Sequence, residues 1–92
     1  MTPEAKVKAR IKRVLAEAGA YYAMPMGTGF GNSGTPDFLV CFKGDFIAIE
    51  AKANGNKPTA LQEKHLNDIR LAGGIALVID ETNVEDLKEM FK

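Results

Sequence analysis

The sequence predicts an α/β fold, a mixed four-stranded sheet flanked by helices in the order αβββαβα. Three observations carry this. Val7, Ile11, Val14, Leu15 and Ala18 recur at helical spacing near the start. Two short apolar runs, Asp37–Phe42 and Phe46–Ala51, are separated only by Lys43-Gly44-Asp45. A capped helical segment then leads into a further apolar run, Ile75–Ile79.

In the first helix, Thr2 suits the N-cap, Pro3 the first helical position, and Gly19 ends the run. Tyr21–Met26 reads as a short strand, and a glycine-rich loop spans Gly27–Gly34. The runs DFLVCF and FIAIEA are nearly continuously apolar, as strands covered on both faces are. The short glycine turn between them predicts a hairpin. Thr59 opens a second helix with Leu61, His65, Ile69 and Ala72 on one face, and Gly73-Gly74 ends it. Ile75–Ile79 is a buried strand and Val84–Phe91 a closing helix. A three-strand meander joined through a helix to a fourth strand gives a mixed sheet with helices on both faces.

The 92 residues suffice for one domain, taken as 1–92, and the 46% apolar share is ordinary for a globular chain. No apolar run approaches the ~20 residues that span a bilayer, and the lysine-rich start lacks a signal-peptide core, so no membrane association and a cytoplasmic location are expected. Cys41 has no disulfide partner in the chain, and with His65 alone it makes no zinc set. The formal net charge is zero. Lys6, Lys8, Arg10, Lys12 and Arg13 crowd the first helix, while Asp80, Glu81, Glu85, Asp86 and Glu89 crowd the end. One basic and one acidic face would fit this pattern; so would an ordinary solvated helix surface.

The chemistry is expected where charges interrupt the apolar strands. Asp37 opens one strand after Thr35-Pro36, and Glu50 and Lys52 close the next. Strand side chains alternate, so Glu50 and Lys52 share a face and Ala51 points into the packing. Pairing through the short turn brings Asp37 to the same open end. Two carboxylates beside an ammonium suit phosphodiester hydrolysis. Asp37, Glu50 and the Ala51 carbonyl would hold Mg²⁺, and Lys52 would orient the attacking water or neutralise developing charge. An ordinary ion pair beside a post-proline turn residue would look the same.

Glu4 extends the buried stripe of the first helix and so belongs near this site, although acids also favour first turns. Thr59 and Gln62 form a capping box by pattern; the functional alternative sets Gln62 at the edge of the metal site, with Lys57 and Ser33 on substrate. Gly29-Phe30-Gly31-Asn32-Ser33-Gly34 matches a dinucleotide-binding pattern, but a strand follows where that motif requires a helix, so it is rejected. Phe30 is an apolar contact candidate, and His65 reads as a packed histidine.

Gly34-Thr35-Pro36-Asp37 followed by Glu50-Ala51-Lys52 resembles the signature of the PD-(D/E)XK nucleases. Gln62, the Gly73-Gly74-Ile75-Ala76 junction and Glu4 resemble the virus-type replication-repair nuclease (VRR-NUC) branch, and the likeness covers almost the whole chain. The resemblance implies a restriction-endonuclease-like core and a Mg²⁺- or Mn²⁺-dependent DNA endonuclease. It implies Asp37, Glu50, Lys52 and Gln62 as catalytic residues, with Asp37, Glu50, Ala51 and Glu4 toward the metal. Standalone members of this size resemble phage-type homodimers acting on branched DNA, including four-way (Holliday) junctions. Other readings are a nicking or restriction-type enzyme on simpler DNA, and a non-catalytic DNA-binding module.

Overall fold

The computed structural model describes residues 1–26 and 34–92. Helix α1 is Pro3–Ala18, strands β1 Tyr21–Ala23, β2 Phe38–Phe42 and β3 Asp45–Ala51, helix α2 Ala60–Leu71 and strand β4 Ile75–Ile79. A 3-10 turn, Val84–Asp86, runs into a one-turn helix α3, Leu87–Met90. The sheet order is β1-β2-β3-β4. The first three strands are antiparallel neighbours and β4 is parallel to β3, as the meander-and-crossover reading expects.

Local chemistry sets the element ends. The Thr2 hydroxyl accepts from the Ala5 N–H at 3.1 Å, and Gly19 closes α1 in the left-handed region at φ 74°. Strand β1 is shorter than its sequence suggests: pairing stops at Ala23, two residues before Pro25. Proline has no N–H for a ladder and constrains the residue before it. The β2–β3 turn is tighter than the three residues expected. Phe42 pairs with Asp45, leaving Lys43 (φ 49°) and Gly44 (φ 86°) as a two-residue loop with both φ positive, which matches the twist of a hairpin.

The sheet is covered on both faces. On one side Val7, Ile11, Val14 and Leu15 of α1 pack with Phe38, Val40, Ile47, Ile49, Ala51 and Ile79, and the C-terminal Val84, Leu87 and Phe91 complete this core. On the other, Leu66 of α2 packs on Ala48 and Ala76, with Leu39, Ile69 and Val78 around them.

The residues on the apolar face of α2 do not all meet the sheet. Leu66 is the helix's fully buried residue, whereas Leu61 remains 45% exposed and Ala72 is exposed. Leu61 and His65 turn instead toward Gly34: a Cβ built on that glycine would lie 2.8 Å from Leu61 Cγ and 3.1 Å from His65 Cδ2. Of the two readings of the charge pattern, two contacts favour an ordinary helix surface over separate basic and acidic faces. Arg10 of α1 pairs with Glu85 at 2.8 Å, and Lys88 pairs with the same carboxylate at 2.9 Å. The C-terminal segment packs beside α1, so the two charge clusters partly neutralise each other. No helix among the described residues is long and apolar enough to cross a membrane.

Candidate functional site

The site forms where β2 begins and β3 ends. Phe38 pairs with Ile49, so continuing the register by one step sets Asp37 opposite Glu50. Directly opposed residues of an antiparallel pair share a face. Glu50 therefore emerges on the α2 side of the sheet, like Ala48, while Ala51 is fully buried in the α1 core.

Asp37 is fixed by the backbone beside it. Its Oδ2 accepts from the Ala51 N–H at 2.8 Å, replacing the ladder bond that β2 would supply if it began earlier. The next amide, Lys52 N–H, donates in the opposite direction to the Ile79 carbonyl at 2.9 Å. Alternate strand residues serve opposite neighbours, so the Ala51 carbonyl leaves β3 on the edge shared with Asp37. Past β3, the Asn54 N–H donates to Glu81 at 2.9 Å, anchoring the chain that follows Lys52.

Glu50 is 3% exposed, the one charged residue in the core among the described residues. Its Oε1 is buried with no hydrogen-bond partner, a state that is costly unless a further group completes it. Lys52 Nζ lies 4.0 Å from Glu50 Oε2, and its side chain is only 12% exposed. Burial, then the charge of Asp37 and a hydrogen bond with it, push the Glu50 carboxyl up to about 8. Lys52 opposes the shift and Glu4 adds to it. Asp37 and Glu50 thus share a confined space with too little positive charge to balance both.

A fourth side chain enters from α1. Lys8 Nζ lies 3.4 Å from Asp37 Oδ1 and 3.5 Å from Glu4 Oε2. Burial works against the Lys8 charge, but Asp37 and Glu4 outweigh it and raise the pKa of the ammonium. Glu4 is half-exposed and reaches the site through this lysine. In the sequence Lys8 is one of five basic residues of the first helix. Its position one turn after Glu4, on the same face, was the available signal.

Gln62 occupies the capping box. Its Oε1 accepts from the Thr59 N–H at 2.9 Å, and its N–H donates to Thr59 Oγ1 at 3.2 Å. Lys57 is exposed on the loop before α2. Ser33, Phe30 and the rest of 27–33 lie outside the described residues.

Among the described residues no three His, Cys, Asp or Glu side chains gather closely enough to form a metal cage. The donor set nevertheless fits a hard divalent cation of the Mg²⁺ kind, which is commonly bound through one or two carboxylates, with water and substrate phosphate supplying the rest. Asp37, Glu50 with its unpartnered oxygen, and the Ala51 carbonyl are such donors.

No family profile matches the chain, and no curated protein matches it. A solved structure described as a VRR_NUC domain superimposes on it with a TM-score of 0.81 at 24% identity, over 100% of this chain and 100% of that one. The chain therefore has the fold of that domain, and its mixed sheet flanked by helices is the restriction-endonuclease-like architecture that the sequence motifs imply.

Proposed function

We propose that this protein is a Mg²⁺- or Mn²⁺-dependent DNA endonuclease, acting as a homodimer on branched DNA, with the four-way junction as its preferred substrate. The observation that carries the reading is the Asp37–Glu50 apposition: two carboxylates on one face, one of them buried with an unpartnered oxygen, beside the ammonium of Lys52.

Asp37, Glu50 and the Ala51 carbonyl would hold the metal, with Glu4 toward it. A bound divalent ion supplies a lowered pKa for attacking water and stabilisation of charge on the phosphoryl oxygens. The chain supplies the rest. The Ala51 N–H holds Asp37 in one orientation. The buried setting of Glu50 excludes competing water and strengthens its interaction with a cation. Lys52, nearly buried at the strand end, holds a positive charge where the phosphate oxygens gain negative charge. Gln62 acts by fixing the first turn of α2 at the site's edge, and Lys57 and Ser33 contact the DNA backbone. Without a cation to balance it, the Glu50 carboxyl keeps its proton to higher pH, so metal uptake would release that proton.

The test is cleavage of labelled linear duplex, flap and four-way junction DNA, with and without Mg²⁺ or Mn²⁺. Metal-dependent paired nicks in the junction, lost in Asp37→Asn, are expected. Binding without cleavage of any substrate would favour a DNA-binding module instead, and equal cleavage of linear duplex a nicking or restriction-type enzyme.

A further inference from the structure

We propose that Lys8 is a built-in counter-cation of the carboxylate site, which a divalent metal must displace from Asp37 in order to bind. The inference rests on the metal-site reading above and adds to it a residue that sets how tightly the metal is held.

The geometry is specific. Glu4, Asp37 and Glu50 bring three carboxyl groups to one end of the sheet, and two ammoniums answer them. Lys52 lies beside Glu50 at 4.0 Å. Lys8 stands between the other two acids, 3.5 Å from Glu4 and 3.4 Å from Asp37. The Asp37 oxygens are thereby divided: Oδ2 serves the Ala51 N–H, and Oδ1 faces Lys8. The Lys8 ammonium therefore occupies part of the space beside the Asp37 carboxylate that a cation would enter, and the two compete for that charge.

Lys8 is also placed by the fold. It follows the buried Val7 on a helix anchored by Ile11 and Leu15, so α1 carries its ammonium to the sheet end. An exposed i,i+4 pair with Glu4 alone would contribute only a few tenths of a kcal/mol to the helix. The second contact, across to Asp37, is what that helix pair does not explain.

Two consequences follow from Coulomb's law in a partly buried site. Removing the Lys8 charge takes away a competitor and a repulsive neighbour, so a divalent ion binds more tightly. It also leaves the acids less balanced when no metal is present, so the metal-free fold loses stability. Metal then restores more stability to the variant than to the wild type, because a ligand that binds the native state stabilises it by an amount that grows with the logarithm of its affinity.

The experiment compares wild type, Lys8→Met, Lys8→Arg and Asp37→Asn. Mn²⁺ binding is measured by calorimetry at low ionic strength and mildly alkaline pH, and thermal unfolding with and without Mn²⁺, all without DNA. Lys8→Met should bind Mn²⁺ about tenfold more tightly than wild type, melt lower without metal, and gain more on adding it. Lys8→Arg should behave as wild type. Intact Mn²⁺ binding in wild type with unchanged or weaker binding in Lys8→Met overturns the proposal and leaves the metal site standing. No Mn²⁺ binding in wild type or in Lys8→Met overturns the metal-site reading, and this proposal with it.

Discussion

The Ala51 N–H donates to Asp37 Oδ2 at 2.8 Å across the mouth of the β2–β3 hairpin. This bond fixes one carboxylate opposite another, Glu50, whose Oε1 has no partner. It also allows function to be separated from structure by substitution. Asp37→Asn keeps an amide oxygen that can accept from Ala51 while removing the charge. We expect Asp37→Asn, Glu50→Gln and Lys52→Ala each to cut cleavage by about a hundredfold or more, with circular dichroism and melting cooperativity retained. Pairs of these substitutions should lose little more than singles, because the groups act as a unit. Near wild-type cleavage by Glu50→Gln would remove the catalytic assignment.

Glu50 gives the metal-free protein a distinct pH dependence. Its folded-state pKa, about 8, lies above the ordinary glutamate value of 4.5. The native state therefore holds a proton that the unfolded chain has released over that interval. Its contribution is fully present below about 4.5, declines as pH rises, and is lost once pH passes about 8. Denaturant melts of the metal-free protein should show this fall between pH 5 and about 8. Glu50→Gln, neutral throughout, should flatten it and be more stable than wild type at the alkaline end by on the order of 2 kcal/mol. A pH-independent difference between the two proteins would contradict the assignment. Adding metal to wild type should offset the loss, since the cation replaces the proton.

Strand alternation was enough to bring Asp37, Glu50 and Lys52 to one place, because the hairpin turn fixed the register and register fixes the face. Thr59 and Gln62 were readable for the same reason: a capping box is a local pattern completed within four residues. Lys8 was not readable in this way. Its contact with Asp37 depends on how α1 crosses the sheet, which no periodicity in the chain records. The helical spacing sets Leu61, His65, Ile69 and Ala72 on one face of α2, but an apolar pattern does not say which neighbour each residue meets. Leu61 and His65 meet Gly34, and Leu66 faces the sheet. The Arg10–Glu85 pair joins residues 75 apart, so a count of charge by segment could not anticipate their neutralisation.

The capping box predicts a split between stability and activity. Gln62→Ala removes the acceptor for the Thr59 N–H, and Thr59→Ala removes the acceptor for the Gln62 N–H. Each should cost about 1 kcal/mol in denaturant melts. Thr59→Ala leaves the Gln62 side chain in place. If Gln62 acts on the site only by fixing the turn, the two variants should lose cleavage to a similar, modest degree. A much larger loss in Gln62→Ala would show that its amide has a direct role.

Gly34 is required on two counts. Its φ is 89°, a region that side chains rarely enter, and a Cβ there would meet Leu61 Cγ at 2.8 Å and the Leu61 carbonyl carbon at 3.1 Å. The second contact is with helix backbone, which cannot rotate away. Gly34→Ala should cost roughly 1–3 kcal/mol. Because Gly34 is three residues before Asp37, it should also displace that carboxylate and weaken Mn²⁺ binding. Gly55→Ala has a similar φ of 75° but open space around it, so it should lose only the backbone preference, roughly 1–2 kcal/mol. Equal melting losses and unchanged Mn²⁺ binding in both variants would show that the α2 contact is unimportant.

The described residues fill 32 × 32 × 20 Å and carry one candidate site. Resolving a four-way junction needs two matched incisions in strands related by an approximate two-fold axis. Two copies of this chain about a C₂ axis would supply identical sites in that relation, and such dimers are the commonest oligomers. Charge argues the same way. Arg10 is paired with Glu85 and Lys8 with Glu4 and Asp37, so those two cations of α1 are already engaged within the chain. Exposed Lys6, Lys12 and Arg13 remain on α1, and Lys57 lies on the loop before α2. A single copy thus offers a small positive surface, and a dimer doubles it. Light scattering should report twice the chain mass. Junction binding should weaken steeply as salt rises, since each neutralised phosphate releases counterions. Mixing wild type with excess Asp37→Asn should give heterodimers that nick one strand and leave its mate intact. A monomer that cuts linear duplex as readily as junctions would overturn the junction reading while leaving the nuclease site to be judged on the substitutions above.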